Sequence, residues 1–176
     1  MIVKLYKNES GILRYWEAWD NSEKATIHWG TVGEEGSTKK LSLASHEDAS
    51  SLVEREAASL RAEGYQEVAD DKLIQIVIQY PIVEMGTPED LDKRYEVEYL
   101  MNQRLGWTGL GHCDGGDIGS GTMNIFCFVV DTDKATQCIT EELRVHDLLV
   151  GARILLFSEE GEQQLLFPIE SLKHRQ

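Results

Sequence analysis

Residues 28–36 read HWGTVGEEG, and this stretch decides the fold of the first part of the chain. It joins two runs, 24–32 and 37–44, in which β-branched and aromatic residues recur in partial alternation. Such runs are typical of strands, and closely spaced glycines between them are typical of a turn. Two further runs of the same kind, 2–7 and 12–20, precede them. The sequence therefore predicts a four-stranded antiparallel meander.

One amphipathic helix is predicted after the meander. Ser45 and Asp48 have the spacing of a capping box, with Asp in place of the usual Glu, so we expect the helix to open at Ser45. Gly64 stands where a helix commonly ends. Apolar residues recur between these points at helical spacing and predict the buried face, namely Ala49, Leu52, Val53, Ala57 and Leu60. Sheet and helix together predict a small α+β domain over residues 1–69.

A second domain is predicted over residues 73–171, after the acidic junction VADDKL. It opens with a nearly all-apolar strand at 73–81. Thr87 and Pro88 then have the residue types of an N-cap and a first helical position, so a helix is predicted to about residue 105. Four apolar residues fit the spacing of this helix, namely Leu91, Tyr95, Leu100 and Leu105.

The glycine-rich run GLGHCDGGDIGSG, residues 109–121, follows this helix. Its composition predicts a tight hairpin or a bulged connection between strands. After it come a strand at 122–131, a helix capped by Asp131 or Thr132, and a closing hairpin over 152–159 and 163–169. The order β-α-β-β-α-β plus one strand predicts a ferredoxin-like fold, which hosts many unrelated functions.

The charge of the chain restricts its partners. It has 17 Lys and Arg against 31 Asp and Glu, and a net charge of −14. A field of this sign repels nucleic acids and anionic membranes and attracts basic partners. No apolar run approaches the roughly 20 residues that cross a bilayer, and the first residues lack the apolar core of a signal peptide. We therefore expect a cytoplasmic protein without membrane contact, in which direct nucleic-acid binding is disfavoured.

The three cysteines are Cys113, Cys127 and Cys138. Their number is odd and none forms a CxxC pair, so neither a disulfide framework nor a zinc ribbon is predicted. Reduced thiols are expected. Cys127 in a strand and Cys138 on a helix are interpreted as small hydrophobic residues.

Residues 1–69 resemble the WGR domain, a module named for its Trp-Gly-Arg sequence. The resemblance is carried by WGTVGEEG, by SHEDA at the helix start and by EGY at 63–65. Seven residues fall in the order and rough spacing of the family, namely Trp29, Gly30, Gly33, Gly36, Ala49, Gly64 and Tyr65. The module occurs in poly(ADP-ribose) polymerases and in bacterial proteins related to molybdate-metabolism regulators. The remainder, 73–169, resembles a domain of uncharacterised bacterial proteins.

The resemblance implies a binding role, with one departure from the pattern. In the polymerases the Trp-Gly-Arg region helps to hold DNA ends and contacts neighbouring domains. The third residue of the motif is Thr31 here, which cannot offer a guanidinium to a phosphate. Trp29 is expected to cover the seam between the sheet and the helix. Contact with another protein survives the loss of the arginine better than DNA binding does.

The favoured interpretation is a non-enzymatic protein without a cofactor that binds another protein through the WGR-like module. An acidic inhibitor of a basic partner, of the immunity or antitoxin kind, is an alternative, and so is a weak nucleic-acid-binding regulator. A homodimer is also compatible with a ferredoxin-like sheet, because such sheets associate through faces or edges. The candidate binding residues are Arg14, Tyr15, Trp16, Trp29, Gly30, Thr31, Glu34 and Glu35.

A metal-dependent enzyme is a further alternative. Its candidate residues, His112, Cys113, Asp114 and Asp117, lie within six positions and are of metal-ligand types. No second cluster of His or Cys is nearby in the sequence, so no metal is predicted. The chain also lacks a phosphate loop, a dinucleotide fingerprint and a nucleophile elbow. No catalytic residue is therefore predicted.

Overall fold

The structure is a computed structural model that describes residues 1–21, 24–43, 48–157 and 161–168. Over these residues the protein has two antiparallel sheets and three α-helices, which confirms the prediction of a mixed α+β protein. The chain divides into two compact units. The first comprises Met1–Lys72 together with Trp107–Gly109, and the second comprises Leu73–Gly106 and Leu110–Gln176.

The sheet of the first unit has four antiparallel strands in chain order. Their bounds are β1 Ile2–Glu9, β2 Ile12–Asp20, β3 Lys24–Thr31 and β4 Ser37–Ser42. All four predicted strands are present. The predicted end of the fourth, at residue 44, lies outside the described residues.

Helix α1 spans Ala49–Ala62 and covers one face of this sheet. Its N-cap is Asp48, whose carboxylate accepts a hydrogen bond from the amide of Ser51 at 2.9 Å, so the helix begins after Asp48. Ser45, the expected start, lies outside the described residues. At the other end Gly64 has φ 96° and the Tyr65 amide donates to the Leu60 carbonyl, which confirms the predicted stop.

The core of the first unit lies between α1 and the sheet. The helix contributes Ala49, Leu52, Val53 and Ala57, with Leu60 partly buried, as its apolar spacing predicted. The sheet contributes Val3, Leu5, Trp16, Ala18, Ala25 and Ile27. These strand residues alternate along the chain, so they all project from one face of the sheet.

The sheet of the second unit has five antiparallel strands in the order β6-β7-β5-β8-β9. A short 3-10 helix, Asp70–Lys72, precedes its first strand in the chain. The bounds are β5 Ile74–Pro81, β6 Gly111–Gly119, β7 Thr122–Val129, β8 Arg153–Phe157 and β9 Gln163–Phe167. The predicted strand ends at 158–159 and 169 lie outside the described residues.

Two helices belong to the part of the chain that follows β5. Helix α2 spans Pro88–Trp107, and the Thr87 hydroxyl accepts from the Asp90 amide at 3.2 Å, which confirms the predicted cap. Helix α3 spans Thr132–Val145, and its N-cap is Asp131. Among the described residues, no helix is long and apolar enough to cross a membrane.

The buried face of α2 differs from the predicted one. Val97, Met101 and Leu105 are fully buried, whereas Tyr95 is 54% exposed. Residues four apart share one side of a helix, and the stripe through Val97 leaves Tyr95 on the other side, where the Arg94 guanidinium packs 4.5 Å from its ring. The prediction that Leu105 belongs to the core is confirmed.

The glycine-rich run is mostly a strand. Residues 111–119 form β6, and the turn to β7 is confined to residues 120–121. The predicted bulge is present, because the register shifts between Cys113 and Gly116. A Cβ on Gly116 would lie 2.2 Å from the Asn124 carbonyl oxygen on β7, so glycine is required by the close approach of two strands.

Candidate functional site

A chain of polar side chains lies inside the first unit, on the sheet face opposite α1. His28 is 1% exposed, and its two ring nitrogens have different partners. Nε2 lies 2.9 Å from the Tyr15 hydroxyl, and Nδ1 lies 2.7 Å from Oε1 of Glu17. Lys4 approaches the other oxygen of Glu17 at 3.4 Å. With the ring proton on Nδ1, Nε2 accepts from the tyrosine, so each buried group has a partner.

The segment Trp107–Gly109 completes the same interior. The Trp107 ring meets the His28 ring edge-on at 4.8 Å between centroids. The Trp107 carbonyl oxygen lies 3.3 Å from the Tyr15 hydroxyl, and the Gly109 carbonyl accepts from the Tyr6 hydroxyl at 3.0 Å. Sequence reasoning missed this segment, because no local pattern relates it to a sheet that ends 65 residues earlier in the chain (107 minus 42).

The linked Glu17, His28 and Tyr15 have the connectivity of a catalytic relay, in which an acid orients a base that contacts a hydroxyl. Burial, with a smaller contribution from the charge of Glu17, raises the pKa of Tyr15 to about 12. The phenol therefore keeps its proton near neutral pH and acts as a hydrogen-bond donor. Tyr15 is also fully buried, so the three residues hold the two strands together rather than meet a substrate.

Three glycines lie against Tyr15, and two of them, Gly30 and Gly36, belong to the stretch HWGTVGEEG. A Cβ on Gly36 would lie 2.3 Å from the Tyr15 hydroxyl and 2.1 Å from the Trp29 carbonyl oxygen. A Cβ on Gly109 would lie 2.3 Å from the tyrosine ring, and one on Gly30 would lie 3.1 Å from it. These glycines make room for one buried aromatic ring. The prediction that Gly30 avoids a side chain at a close approach agrees with this geometry.

Trp29 lies on the opposite face of the same strand, and the expectation for its side chain was wrong. It was expected to cover the seam between sheet and helix, yet it is 40% exposed and lies outside the buried core cluster. It stands two positions beyond Ile27, the last β3 residue of that cluster. Its neighbour across the strands is Trp16, which is buried. Trp29 thus presents an indole to solvent beside the core.

Arg14 brings a guanidinium to Thr31, the residue that follows the Trp29-Gly30 pair. The two residues are opposite each other in β2 and β3, and Nη1 of Arg14 donates to the Thr31 hydroxyl at 2.5 Å. Nε of Arg14 lies 3.7 Å from a carboxylate oxygen of Glu9. Lys7, opposite Arg14 on β1, lies 3.0 Å from the other oxygen. One carboxylate therefore fixes two cations.

Tyr65, the residue after the helix stop, joins this cluster. The Lys7 ammonium lies 5.5 Å from the centre of its ring. Partial burial and the charge of Glu9 raise the pKa of Tyr65, against the opposing effect of Lys7 and Arg14. We call the surface formed by Lys7, Glu9, Arg14, Trp29, Thr31 and Tyr65 the strand-end surface. Sequence reasoning missed Lys7 and Glu9 here, because their approach to Arg14 depends on the register between β1 and β2.

The predicted binding residues thus separate into four groups. Arg14, Trp29 and Thr31 come together in the strand-end surface. Glu34 and Glu35 are exposed on the turn after β3. Tyr15 and Trp16 are buried, so they contribute by supporting the strands. Gly30 is half-buried beside Tyr15.

The four metal-ligand candidates lie on β6 and do not converge. His112 is exposed and stacks on Phe128 at 5.7 Å, whereas Cys113 is buried on the other face. Asp117 accepts a hydrogen bond from the side-chain amide of Asn124 at 2.7 Å, and Asp114 is exposed. Successive strand residues point to opposite faces, which separates Cys113 from His112 and Asp114. Over the ranges that the structure describes, no three His, Cys, Asp or Glu side chains are grouped to hold a metal ion.

No protein-family model, curated protein or solved structure matches this chain.

Proposed function

We propose that this chain is a non-enzymatic binding protein and that its first unit binds a partner protein through the strand-end surface. The observation that carries the proposal is an indole, Trp29, which is 40% exposed on the sheet face that also carries Arg14, an arginine with two partners. Tryptophan, tyrosine and arginine are the residue types most enriched among those that dominate binding energy in protein interfaces. Tyr65 supplies the third type in the same surface.

The surface is ordered before any partner arrives. Arg14 is held by Thr31 and Glu9, and the polar chain Glu17–His28–Tyr15 ties β2 to β3 on the opposite face. Binding costs less when side chains and strands need not be ordered on association. This arrangement favours a role in binding over a purely structural role for the exposed indole.

The arrangement of strands and helices supports the two family assignments, which we keep as proposals. A four-stranded meander with one helix on a face, and a Trp-Gly pair near the end of β3, is what a WGR-like module over residues 1–69 requires. In the second unit the order β6-β7-β5-β8, with antiparallel neighbours, is what a ferredoxin-like βαββαβ domain requires. β9 is then the extra strand of the domain proposed over residues 73–171.

The charge of the chain favours a partner with a basic rim. Glu34 and Glu35 are exposed next to β3, in a chain whose net charge is −14. Opposite charges at the rim of an interface speed association and select partners. An acidic inhibitor of a basic protein is the special case of this proposal in which binding blocks an activity. Nucleic acid is disfavoured because Glu9 pairs with both cations of the surface.

The test is affinity purification of the full chain from its native host, followed by mass spectrometry and binding assays with the purified partner. Arg14→Ala and Trp29→Ala are compared with Tyr99→Ala, which removes an exposed aromatic from α2 of the second unit. We expect the first two variants to weaken binding about tenfold or more, which is about 1.4 kcal/mol. The control should bind like the wild type.

Thermal melting of each variant separates loss of binding from loss of folding. Reversal of the nearby charges, Glu34→Lys with Glu35→Lys, should slow association without unfolding the exposed turn. Partner affinity that is unchanged in a folded Arg14→Ala variant and a folded Trp29→Ala variant would rule out the strand-end surface.

A further inference from the structure

Two of the three cysteines lie side by side in the sheet of the second unit. Cys113 on β6 is directly opposite Cys127 on β7, and their sulfur atoms are 2.7 Å apart. Directly opposite residues of antiparallel strands have Cα atoms about 4.5–5.5 Å apart, and disulfides span Cα separations of about 4.4–6.8 Å. Both thiols are already placed for a bond that leaves the register of the two strands unchanged.

We propose that Cys113 and Cys127 are a redox modification site, a dithiol that closes to a disulfide with a peroxide as oxidant. In the first step the Cys113 thiol reduces hydrogen peroxide, releases one water and becomes a sulfenic acid. In the second step the sulfur of Cys127 attacks the Cys113 sulfur and displaces a second water. Two thiol hydrogens and two electrons are transferred to the peroxide, and an external dithiol reverses the reaction by exchange.

The order of the two steps follows from the position of the strands. β6 is an edge strand, and Cys113 is 6% exposed, whereas Cys127 lies between two strands and is fully buried. A small oxidant therefore reaches Cys113 first. The bulge between Cys113 and Gly116 interrupts the ladder next to the thiol.

The neighbouring thiol also determines the product. A sulfenic acid that meets no second thiol is open to irreversible oxidation, whereas one beside a resolving cysteine is captured as a disulfide. Cys127 lies close enough to capture Cys113 without any rearrangement of the sheet. Cys138 lies on α3 rather than on either strand, which makes it the matched control.

The experiment treats the full native chain with hydrogen peroxide, quenches it, and alkylates the denatured protein for mass spectrometry. Alkylatable thiols should fall from three to one per chain, with a mass loss of two hydrogen atoms and a peptide that links Cys113 to Cys127. Dithiothreitol should restore all three thiols. The Cys138→Ser variant should fall from two thiols to none and give the same linked peptide.

The wild-type peptide map decides the question without any variant, so a folding defect in a cysteine variant cannot obscure it. Cys113→Ser and Cys127→Ser, checked by melting, should each abolish the intramolecular disulfide. The proposal is overturned if the native protein keeps all three thiols at peroxide concentrations that oxidise an exposed thiol. It is equally overturned by sulfinic acid at Cys113 without a disulfide, or by a bond to Cys138.

Discussion

The Tyr15 hydroxyl lies 2.9 Å from Nε2 of His28, and the other nitrogen of that ring lies 2.7 Å from Glu17. Tyr15 and Glu17 lie on β2 and His28 lies on β3, so the contact joins two strands on the face opposite α1. The opposite sides of these strands carry Arg14 and Trp29. One buried ring therefore supports the exposed surface that we propose for binding.

Tyr15→Phe is predicted to lower the free energy of unfolding by about 1–3 kcal/mol, the cost of leaving a buried polar group without its partner. The lost partner is the hydroxyl that faces His28. Urea unfolding measures the change. Tyr95→Phe is the matched control, because its ring is 54% exposed and such surface changes stay within about 0.5 kcal/mol. Equal effects of the two substitutions would contradict the role given to Tyr15.

Gly36→Ala is predicted to destabilise the first unit by about 1–3 kcal/mol through overpacking. The added methyl would lie 2.1 Å from the Trp29 carbonyl oxygen, which is backbone and cannot move aside easily. Gly106→Ala makes the same change in α2, where a Cβ meets no atom within 4 Å. That variant is expected to gain up to about 1 kcal/mol from helix propensity. Thermal melts that rank the two variants in the reverse order would refute the close approach at Gly36.

Stability is predicted to fall in alkali. Burial raises the pKa of Tyr15 from 10.0 to about 12. The unfolded phenol loses its proton near pH 10 while the folded one keeps it, so this stabilisation is complete below about pH 10 and is lost as the pH rises through about 12. Burial also raises the pKa of Tyr6 and Tyr80. Urea midpoints followed across this range should fall more steeply for the wild type than for Tyr15→Phe; parallel curves would contradict the prediction.

Duplex DNA is predicted not to bind at near-physiological salt. The net charge of −14 opposes association, and Glu9 pairs with both Lys7 and Arg14. A gel-shift or anisotropy titration with a duplex oligonucleotide measures this. Glu34→Lys with Glu35→Lys is the informative comparison, since it adds positive charge beside the same strand. A saturable, salt-sensitive shift by the wild type in the micromolar range would replace the protein-binding proposal with a nucleic-acid one.

Local signals in the sequence predicted the elements well. Thr87 and Pro88 begin α2, Asp131 caps α3, and Gly64 follows α1 with a positive φ, as the residue types indicated. Each of these depends on chemistry within a few positions along the chain. The exposure of Trp29 could not be predicted from such local signals. Period-two alternation places Trp29 on the same sheet face as Ile27, but it does not show how much of that face α1 buries.

Contacts between strands could not be predicted from the sequence for a different reason. His28 meets Glu17 and Tyr15 only because β2 and β3 pair in one register, and a shift of one residue would send each side chain to the other face. Cys113 and Cys127 meet through a hairpin whose bulge sets the pairing. The odd number of cysteines and the lack of a CxxC pair argued against a disulfide framework. The number of cysteines does not show which of them the register between β6 and β7 places opposite each other.

The first unit is discontinuous in sequence, since it includes Trp107–Gly109 as well as Met1–Lys72. A fragment cut at the apparent boundary would lack the indole that packs on His28 and the carbonyl beside the Tyr15 hydroxyl. The Tyr6 hydroxyl would also lose its hydrogen-bond acceptor, the Gly109 carbonyl. Residues 1–72, expressed alone or grafted onto another protein, would therefore lack part of the packing of the first unit.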